Sequence, residues 1–527
     1  MSITHMPLGT LCREAGISCP QASENLEIYG VTADSRRVSE GWLFVAIKGL
    51  HQDGGGFIPQ AVKQGAAAVL ALPQTQVPAN RVACLSHSNP REALARLCDA
   101  WYGHPTRDMC LVGVTGTNGK TSVSAMLSHI LAWDQVPVAV IGTVGVLDFK
   151  GQPLSIRSRD ETANMTTPDP EELYRIFSVL RDQMVEQRYD TPVVVMEVTS
   201  HALLLDKLAP LSFEGAVFTN LTPEHLDMHG TMEAYYQAKL GLFRMSRWAV
   251  INADDPYGRR LLTEPHTSVE TWHLCHMSPL TRSADLPHPG IRGNRIYAGQ
   301  VKMLGSNGVE YRLMSPGARV RISCPIPGEF TVFNSMEAAV MALLLGVSPG
   351  RIKEALGCFP GVPGRMEPVP LGDHVGFSVF LDYAHTPDAL ENLLVTAKRF
   401  RKKGERIVLL FGCGGDRDAS KRPLMATVAS RLADTVIITS DNSRTEDPLS
   451  IIEDILQGME EDSDYVVIPQ RREAIQYAIR QARRGDIILL AGKGHETYEI
   501  DKNGRHDFSE KALVKEAADI YHPRNRG

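Results

Sequence analysis

Short apolar runs alternate with amphipathic stretches along nearly the whole chain, a rhythm that predicts β-strands alternating with α-helices. In the first hundred residues WLFVAIKG reads as a strand and the alanine-rich FIPQAVKQGAAAVLAL as a helical stretch, the pattern of a small α/β domain. Near Arg107 an apolar strand, MCLVGV, runs into the turn TGTNGKT and then the helical pattern SVSAMLSHILAW. The runs VPVAVIGTVGV, PVVVMEV, GAVFTNL and RWAVINA then predict buried strands of a mainly parallel sheet with helices on both faces. Between about Thr271 and Cys324 the pattern turns irregular and richer in Pro, Gly and Arg, as in a β-rich excursion or a long surface connection. Val332 to Val347 reads as an amphipathic helix, and the turn-forming GCFPGVPGR marks a junction. Beyond it FSVFLDY, RIVLLFG, TVIITSD, YVVIP and DIILLAG predict a second doubly wound sheet. The fold expected is α/β with three domains: a smaller N-terminal α/β domain over 1–107, a central doubly wound sheet over 108–360 and a C-terminal Rossmann-like sheet over 361–527.

Length agrees with this division, because 527 residues exceed what one hydrophobic core normally organises. At 43% hydrophobic and 22% charged residues the composition is that of a globular protein. A net charge of -6 gives no global attraction to nucleic acid, and no nucleic-acid partner is expected. The N-terminus MSITHMPLGTLC has no basic segment followed by an apolar one, and no apolar run reaches the roughly 18 residues of a membrane span. A cytoplasmic protein without membrane insertion is expected. The nine cysteines are scattered and form no CxxC pair, so reduced, mostly buried thiols are expected. His273-Leu274-Cys275-His276 lacks a second half at metal spacing and is assigned no function.

The strand, turn and helix order around Gly116-Thr117-Asn118-Gly119-Lys120-Thr121-Ser122 is that of a triphosphate site of P-loop type. Glycines let backbone N–H groups approach phosphate oxygens, Lys120 supplies a point charge, and Thr121 offers a hydroxyl to Mg²⁺. The general pattern has glycine where this chain has Val114. The plain alternative is a glycine turn with an incidental lysine. The loop does not choose among hydrolases, kinases and ligases.

GVTGTNGKTS is followed, in order, by MTTPDP, MEVTSHAL, FTNLTPEHLDMHG, AYYQAKLGLF, IPGEFTVFN, GVPGRME, LDYAHTPD, GCGGDRD, DNSRTEDP and GKGHE. This series resembles the Mur ligase family through nearly the whole chain, and within it the ligases that add the third amino acid of the UDP-linked peptidoglycan precursor. The resemblance implies that ATP activates the terminal carboxylate of UDP-MurNAc-L-Ala-D-Glu as an acyl phosphate, which the amine of meso-diaminopimelate attacks. It implies a monomer using ATP, Mg²⁺ and a carbamate formed from CO₂ on Lys239, with the UDP-MurNAc-dipeptide and a diamino acid as its partners.

Glu197, at the end of VVVMEV, and His225, in the loop after GAVFTNL, lie at carboxyl ends of predicted strands, where ligands collect in open α/β sheets. In the setting of the resemblance both stand near Mg²⁺, with Lys239 on the helix MEAYYQAKLGLF. The resemblance also places Asn334 and Asp382 at the adenine and ribose, and Arg365 and His385 at the phosphates. ATP is then completed only when the C-terminal domain closes on the central one. Ser35, His51 and Gln52 are implied near the uracil and pyrophosphate. Thr166, Thr167, Thr199 and Lys207 meet the sugar and peptide, Lys207 standing where an arginine is usual and Met165 where asparagine is frequent. For the incoming amino acid the resemblance implies Arg417, Asp441, Asn442, Ser443, Arg444, Gly492 and Glu496. Arg444 suits a second carboxylate and repels a lysine ammonium, although Ser443 replaces the usual proline. A structural ion pair of Arg444 with Glu446 or Asp447 is the bland alternative. The nearest enzymatic rivals are ligation of L-lysine or another diamino acid and another Mur-type amide ligase; a regulatory ATP-binding protein that lost the chemistry is the rival from another class.

Overall fold

The computed structural model describes residues 4–49, 53–78, 81–154, 165–264, 267–277, 293–316, 318–372 and 375–522. Its contacts gather into two compact units, one of residues 1–296 and 337–348 and the other of residues 297–336 and 349–527.

The first unit opens with β1 (Met6–Pro7) antiparallel to β2 (Glu27–Ile28). A parallel four-stranded sheet follows, in the order β3 (Val31–Thr32), β4 (Trp42–Val45), β5 (Ala66–Ala71), β6 (Ala83–Ser86). The stretch expected to be helical throughout divides here: Ile58–Lys63 is a helix, whereas AAAVLA is the strand β5. Gly65, at φ +99°, turns the chain out of the helix at no Cβ cost. Burial of Ala68, Val69 and Leu70 then suits a central strand covered on both faces.

The larger sheet is built from β7 (Cys110–Thr115), β8 (Val138–Gly142), β9 (Gly145–Leu147), β10 (Val193–Glu197), β11 (Phe213–Phe218), β12 (Ser246–Asn252) and β13 (Thr271–His276). They lie in the order β13-β12-β11-β7-β10-β8-β9, parallel except for the β8–β9 hairpin. The chain leaves β7 for β8 on one side and returns to β11 on the other. The loops after β7, β10 and β11 therefore share one crevice at the carboxyl ends, the expected place for a ligand. A continuous core joins Leu43 and Leu70 of the small sheet, Leu94 and Leu97 of the helix Pro90–Trp101, and Leu111, Val194 and Phe218 of the large one.

Of the two possibilities open for Thr271–Cys324, the described part is β-rich. β14 (Gly293–Met303), β15 (Val309–Ser315) and β16 (Ala318–Cys324) form an antiparallel meander with a register shift between Gly299 and Lys302. The helix expected at Val332–Val347 spans Phe330–Leu344. It is buried nearly all round, from Thr331 and Val332 through Met336, Glu337 and Ala342, with only Phe330 well exposed, so it is a core helix and not an amphipathic surface one.

The second unit carries β17 (Glu367–Pro368), β18 (Ser378–Asp382), β19 (Ile407–Phe411), β20 (Thr435–Ile438), β21 (Tyr465–Val467) and β22 (Ile487–Ala491) in the order β17-β18-β22-β19-β20-β21. All neighbours are parallel except β17–β18. Two cores, one on each face, flank this sheet. A hairpin of β23 (Tyr498–Asp501) and β24 (Gly504–Asp507) follows. None of the nine cysteines is in a disulfide; five are buried and Cys358 is exposed. Among the described residues no helix is long and apolar enough to cross a membrane.

Candidate active site

The turn after β7 is shaped by two glycines. Gly116 has φ +150°, and a Cβ there would run into the Thr219 hydroxyl; Gly119, at φ +88°, starts the helix Lys120–Trp133. The loop is tied to the end of β11: Thr117 N donates to Asn220 O at 2.9 Å and Asn118 N to Asn220 Oδ1 at 3.0 Å. The Thr219 hydroxyl donates to Asn118 O at 2.5 Å. Thr219 and Asn220 lie within the motif FTNLTPEHLDMHG but were given no role from sequence, since nothing in it shows that they face the phosphate loop. Thr121 and Ser122 occupy the first turn of the helix, whose N-terminus favours anions.

Two lysines converge on one carbonyl of this loop. Lys120 Nζ donates to Gly116 O at 2.9 Å and to Thr117 O at 2.8 Å, and Lys239 Nζ donates to Gly116 O at 2.8 Å. Lys239 is 2% exposed on the helix Met232–Arg244, with its Nζ 4.7 Å from the centre of the Tyr235 ring. Burial, reinforced by the charge of Lys120, holds its amine well below the ordinary lysine range.

Glu197 closes β10 and is fully buried. Its Oε1 accepts from Thr143 N at 2.9 Å, and its Oε2 accepts from the hydroxyls of Thr143 at 2.9 Å and Thr121 at 3.0 Å. Any side chain at Gly142 would collide with this carboxylate. Thr166 lies 3.1 Å from the Thr143 hydroxyl, while Thr167 donates to the Glu197 carbonyl at 2.9 Å and to Thr199 Oγ1 at 3.2 Å. Thr121, Thr143, Thr166, Thr167, Glu197 and Thr199 thus form one connected polar chain. Thr143 was missed in the sequence because a threonine after a strand carries no distinguishing signal.

Carboxylate and hydroxyl oxygens suit a hard cation such as Mg²⁺, and Glu197 Oε2 with Thr121 Oγ1 is the pair that fits it. Among the described residues no cluster of three His, Cys, Asp or Glu offers a metal site made of protein ligands alone. His225 does not join this pair. It is in an exposed, left-handed conformation with φ +55°, its Nε2 3.9 Å from Glu224 and its ring 6.3 Å from that of Tyr235.

A cavity of about 840 Å³ opens in the same unit, lined by Ser35, Arg36, Arg37, Arg91, His201 and Lys207 among others. Glu171 anchors its wall, accepting from Ala33 N at 2.7 Å and Arg37 Nη1 at 2.8 Å. Burial, partly offset by these bonds, keeps its carboxyl above the ordinary range. Lys207 is 6% exposed and pairs with Asp169 at 2.6 Å, with Met165 Sδ at 3.4 Å. Met165 lines the cavity, whereas Thr166, Thr167 and Thr199 belong to the chain around Glu197. Arg36, Arg37, Arg91 and His201 escaped sequence reasoning, because only the fold brings these separate segments to one wall. His51 and Gln52 lie outside the described residues.

In the second unit Asp382 ends β18 and accepts from Met366 N at 2.8 Å and Ala384 N at 2.9 Å. Burial raises its carboxyl despite these bonds and the nearby Arg365 charge. His385 is exposed, its Nδ1 2.8 Å from Tyr383 O, and Asn334 is buried in the helix Phe330–Leu344.

The loop after β20 holds Asp441, Asn442 and Ser443, all buried, and Arg444 at φ +52°. Arg444 Nη1 donates to Gly415 O at 2.8 Å, and Glu446 pairs with Arg422 at 2.8 Å. Arg444 therefore makes no ion pair with Glu446 or Asp447. Arg417 is exposed on the neighbouring loop. Gly492, at φ +113°, lets the loop after β22 pass against Asp441, and Glu496 Oε2 accepts from Asn442 Nδ2 at 2.8 Å.

Three family descriptions match the chain: "Mur ligase family, catalytic domain" over 27–102, "Mur ligase middle domain" over 114–342 and "Mur ligase, glutamate ligase domain" over 364–494. A Clostridium acetobutylicum protein named UDP-N-acetylmuramoyl-L-alanyl-D-glutamate--2,6-diaminopimelate ligase 1 is 39% identical over 93% of this chain and 95% of its own. A Geobacillus kaustophilus protein named as the corresponding ligase is 40% identical over 94% and 95%. A solved structure described as such a diaminopimelate ligase is 30% identical, with a TM-score of 0.66, and covers 98% of this chain and 100% of that one.

Proposed function

Because the chain belongs to the Mur ligase family of ATP-dependent amide ligases, we propose that it joins meso-diaminopimelate to UDP-MurNAc-L-Ala-D-Glu in peptidoglycan precursor synthesis, acting in the cytoplasm as a monomer. The observation that carries this reading is the convergence of Lys120 and Lys239 on the Gly116 carbonyl. Two amines at one phosphate-type loop beside a buried carboxylate suit the handling of a phosphoryl group and not a mere glycine turn.

A carboxylate is a poor electrophile. Here the substrate carboxylate displaces ADP from the terminal phosphoryl group to give an acyl phosphate; the free amine of the amino acid attacks its carbonyl carbon, and phosphate leaves. Lys120 turns from its loop carbonyls to the phosphate oxygens, and the backbone N–H groups of 116–122 cradle them. Glu197 and Thr121 would hold Mg²⁺ with His225 near it, and the ion would supply charge neutralisation. Lys239 carries a carbamate: its depressed basicity leaves the neutral amine that CO₂ requires, and the product replaces a cation by an anionic orienting group.

Asn334 and Asp382 hold the adenosine, while Arg365 and His385 reach the phosphates. Ser35, His51, Gln52, Thr166, Thr167, Thr199 and Lys207 hold the UDP-linked substrate, joined by Arg91, whose guanidinium on the cavity wall suits a pyrophosphate, while Arg36 and Arg37 are already paired with Asp34 and Glu171. Lys207 is already neutralised by Asp169, so it contributes less net charge than an unpaired arginine. Arg417, Asp441, Asn442, Ser443, Arg444, Gly492 and Glu496 hold the amino acid. The division at 1–107, 108–360 and 361–527 is supported by the three matched segments, each of which falls within one part. Release of ADP that requires both the UDP-MurNAc-dipeptide and an amino acid, with a product of the mass of the diaminopimelate amide, is the expected result. Release without the acceptors, or a product lacking the added residue, overturns the reading.

A further inference from the structure

Lys493 sits in the loop after β22, facing the loop after β20 that carries the rest of the proposed amino-acid site, and its side chain is completely buried. Its Nζ donates to Asn442 Oδ1 at 2.8 Å and to Tyr498 O at 2.9 Å. It also stands 3.7 Å from Asp441 Oδ1 and 3.6 Å from Glu496 Oε2. One ammonium thus ties the loop after β20 to the loop after β22 and to the start of the β23–β24 hairpin.

The consequence falls on Asn442. Its Oδ1 also accepts from Ile500 N at 3.0 Å, so two donors fix which edge of the amide is carbonyl. Nδ2 must then face Glu496 Oε2. Glu496 Oε1 has only a 3.4 Å contact from the Tyr498 hydroxyl and stays available to a cationic group. Asp441, which burial alone would raise, is kept below the ordinary carboxylate range by Arg471 and Lys493. The charges alternate through Arg471, Asp441, Lys493 and Glu496, and removing the central cation leaves buried acceptors unmatched.

We propose that Lys493 is a positioning residue that sets the enzyme's affinity for its incoming amino acid by holding Asn442 in the orientation that aims the Glu496 carboxylate at an ammonium group. The inference rests on the ligase reading above. Lys493 touches no substrate; it acts through Asn442.

Steady-state kinetics with each substrate varied in turn tests this on the full-length enzyme. Lys493→Met raises KM for the amino acid at least tenfold and leaves KM for ATP and for the UDP-linked substrate within twofold, while Lys493→Arg recovers part of the loss. In an Asn442→Ala background Lys493→Met adds less than twofold, because its intermediary is gone. An unchanged amino-acid KM in Lys493→Met, or an equal rise for all three substrates, overturns the proposal. Should Lys493→Met fail to fold, Asn442→Asp serves: it keeps the contact with Lys493 but sets a second carboxylate against Glu496, so its amino-acid KM must rise while its melting temperature holds, and an unaltered KM overturns the proposal. Wild-type enzyme without amino-acid-dependent turnover defeats the ligase reading as well, whereas an active wild type with an unaffected Lys493→Met defeats this inference alone.

Discussion

Lys239 donates its proton to a backbone carbonyl and faces the charge of Lys120 from a site closed to water. As a bare cation it is poorly placed there; as a carbamate it presents two anionic oxygens. Lys239→Ala is therefore expected to lose at least a hundredfold in kcat with the fold kept, and small carboxylates such as acetate should restore part of the rate by occupying the vacated volume. Unaltered turnover in the variant removes Lys239 from the mechanism. Arg444 leads to a second expectation. Its guanidinium is held by the Gly415 carbonyl, and Glu446 is taken by Arg422, so the charge of Arg444 is not cancelled by an internal ion pair. Losing a charged hydrogen-bond partner costs about 1.5–3 kcal/mol, roughly ten- to hundredfold in kcat/KM. Arg444→Ala should thus lose most of the preference for meso-diaminopimelate over L-lysine, read by product mass in a competition of the two; a wild-type preference for lysine sinks the assignment. The phosphate loop was legible in the sequence because its chemistry is contiguous. Thr143 and Arg91 were not, because each joins its site only through the packing of segments distant in sequence, which residue types do not encode.

The helix Phe330–Leu344 illustrates what an element hides. Its periodicity suggested one apolar stripe, yet packing covers it nearly all round, and a glutamate is enclosed with the rest. Glu337 is fully buried, and neither carboxylate oxygen has a hydrogen-bond partner. Burial, with repulsion from Asp255, holds its carboxyl well above the ordinary value of 4.5. The folded protein keeps this proton when the unfolded chain has already released it. Stability is therefore highest below the ordinary glutamate range and declines as pH rises toward the folded-state value. Glu337→Met should stabilise the protein at pH 7 by about 1–3 kcal/mol, and the gain should shrink as pH falls toward 4.5. Denaturant midpoints across this range check it; an equal gain at every pH contradicts a protonated Glu337. The helix-to-strand change within FIPQAVKQGAAAVLAL has the opposite origin: alanine favours helix, and Gly65 with two-sided burial overrides that preference.

Across the molecule, hydrophobic contact divides the chain differently from motif order. The first hundred residues and the large parallel sheet share one continuous core, while the second unit has its own two cores flanking a separate sheet. Scanning calorimetry should accordingly resolve two unfolding transitions and not three, with the N-terminal segment melting together with the phosphate-loop sheet. An independent early transition of residues 1–107 would show that the shared core is too weak to couple them. The distribution of thiols has a practical outcome. Five of the nine cysteines are buried, and burial pushes the Cys12, Cys324 and Cys413 thiols up to about 12, which starves them of the reactive thiolate. Cys358, exposed at the end of the helix Pro349–Gly357, should take a maleimide dye first, giving the unmutated enzyme a single fluorescent tag in its second unit.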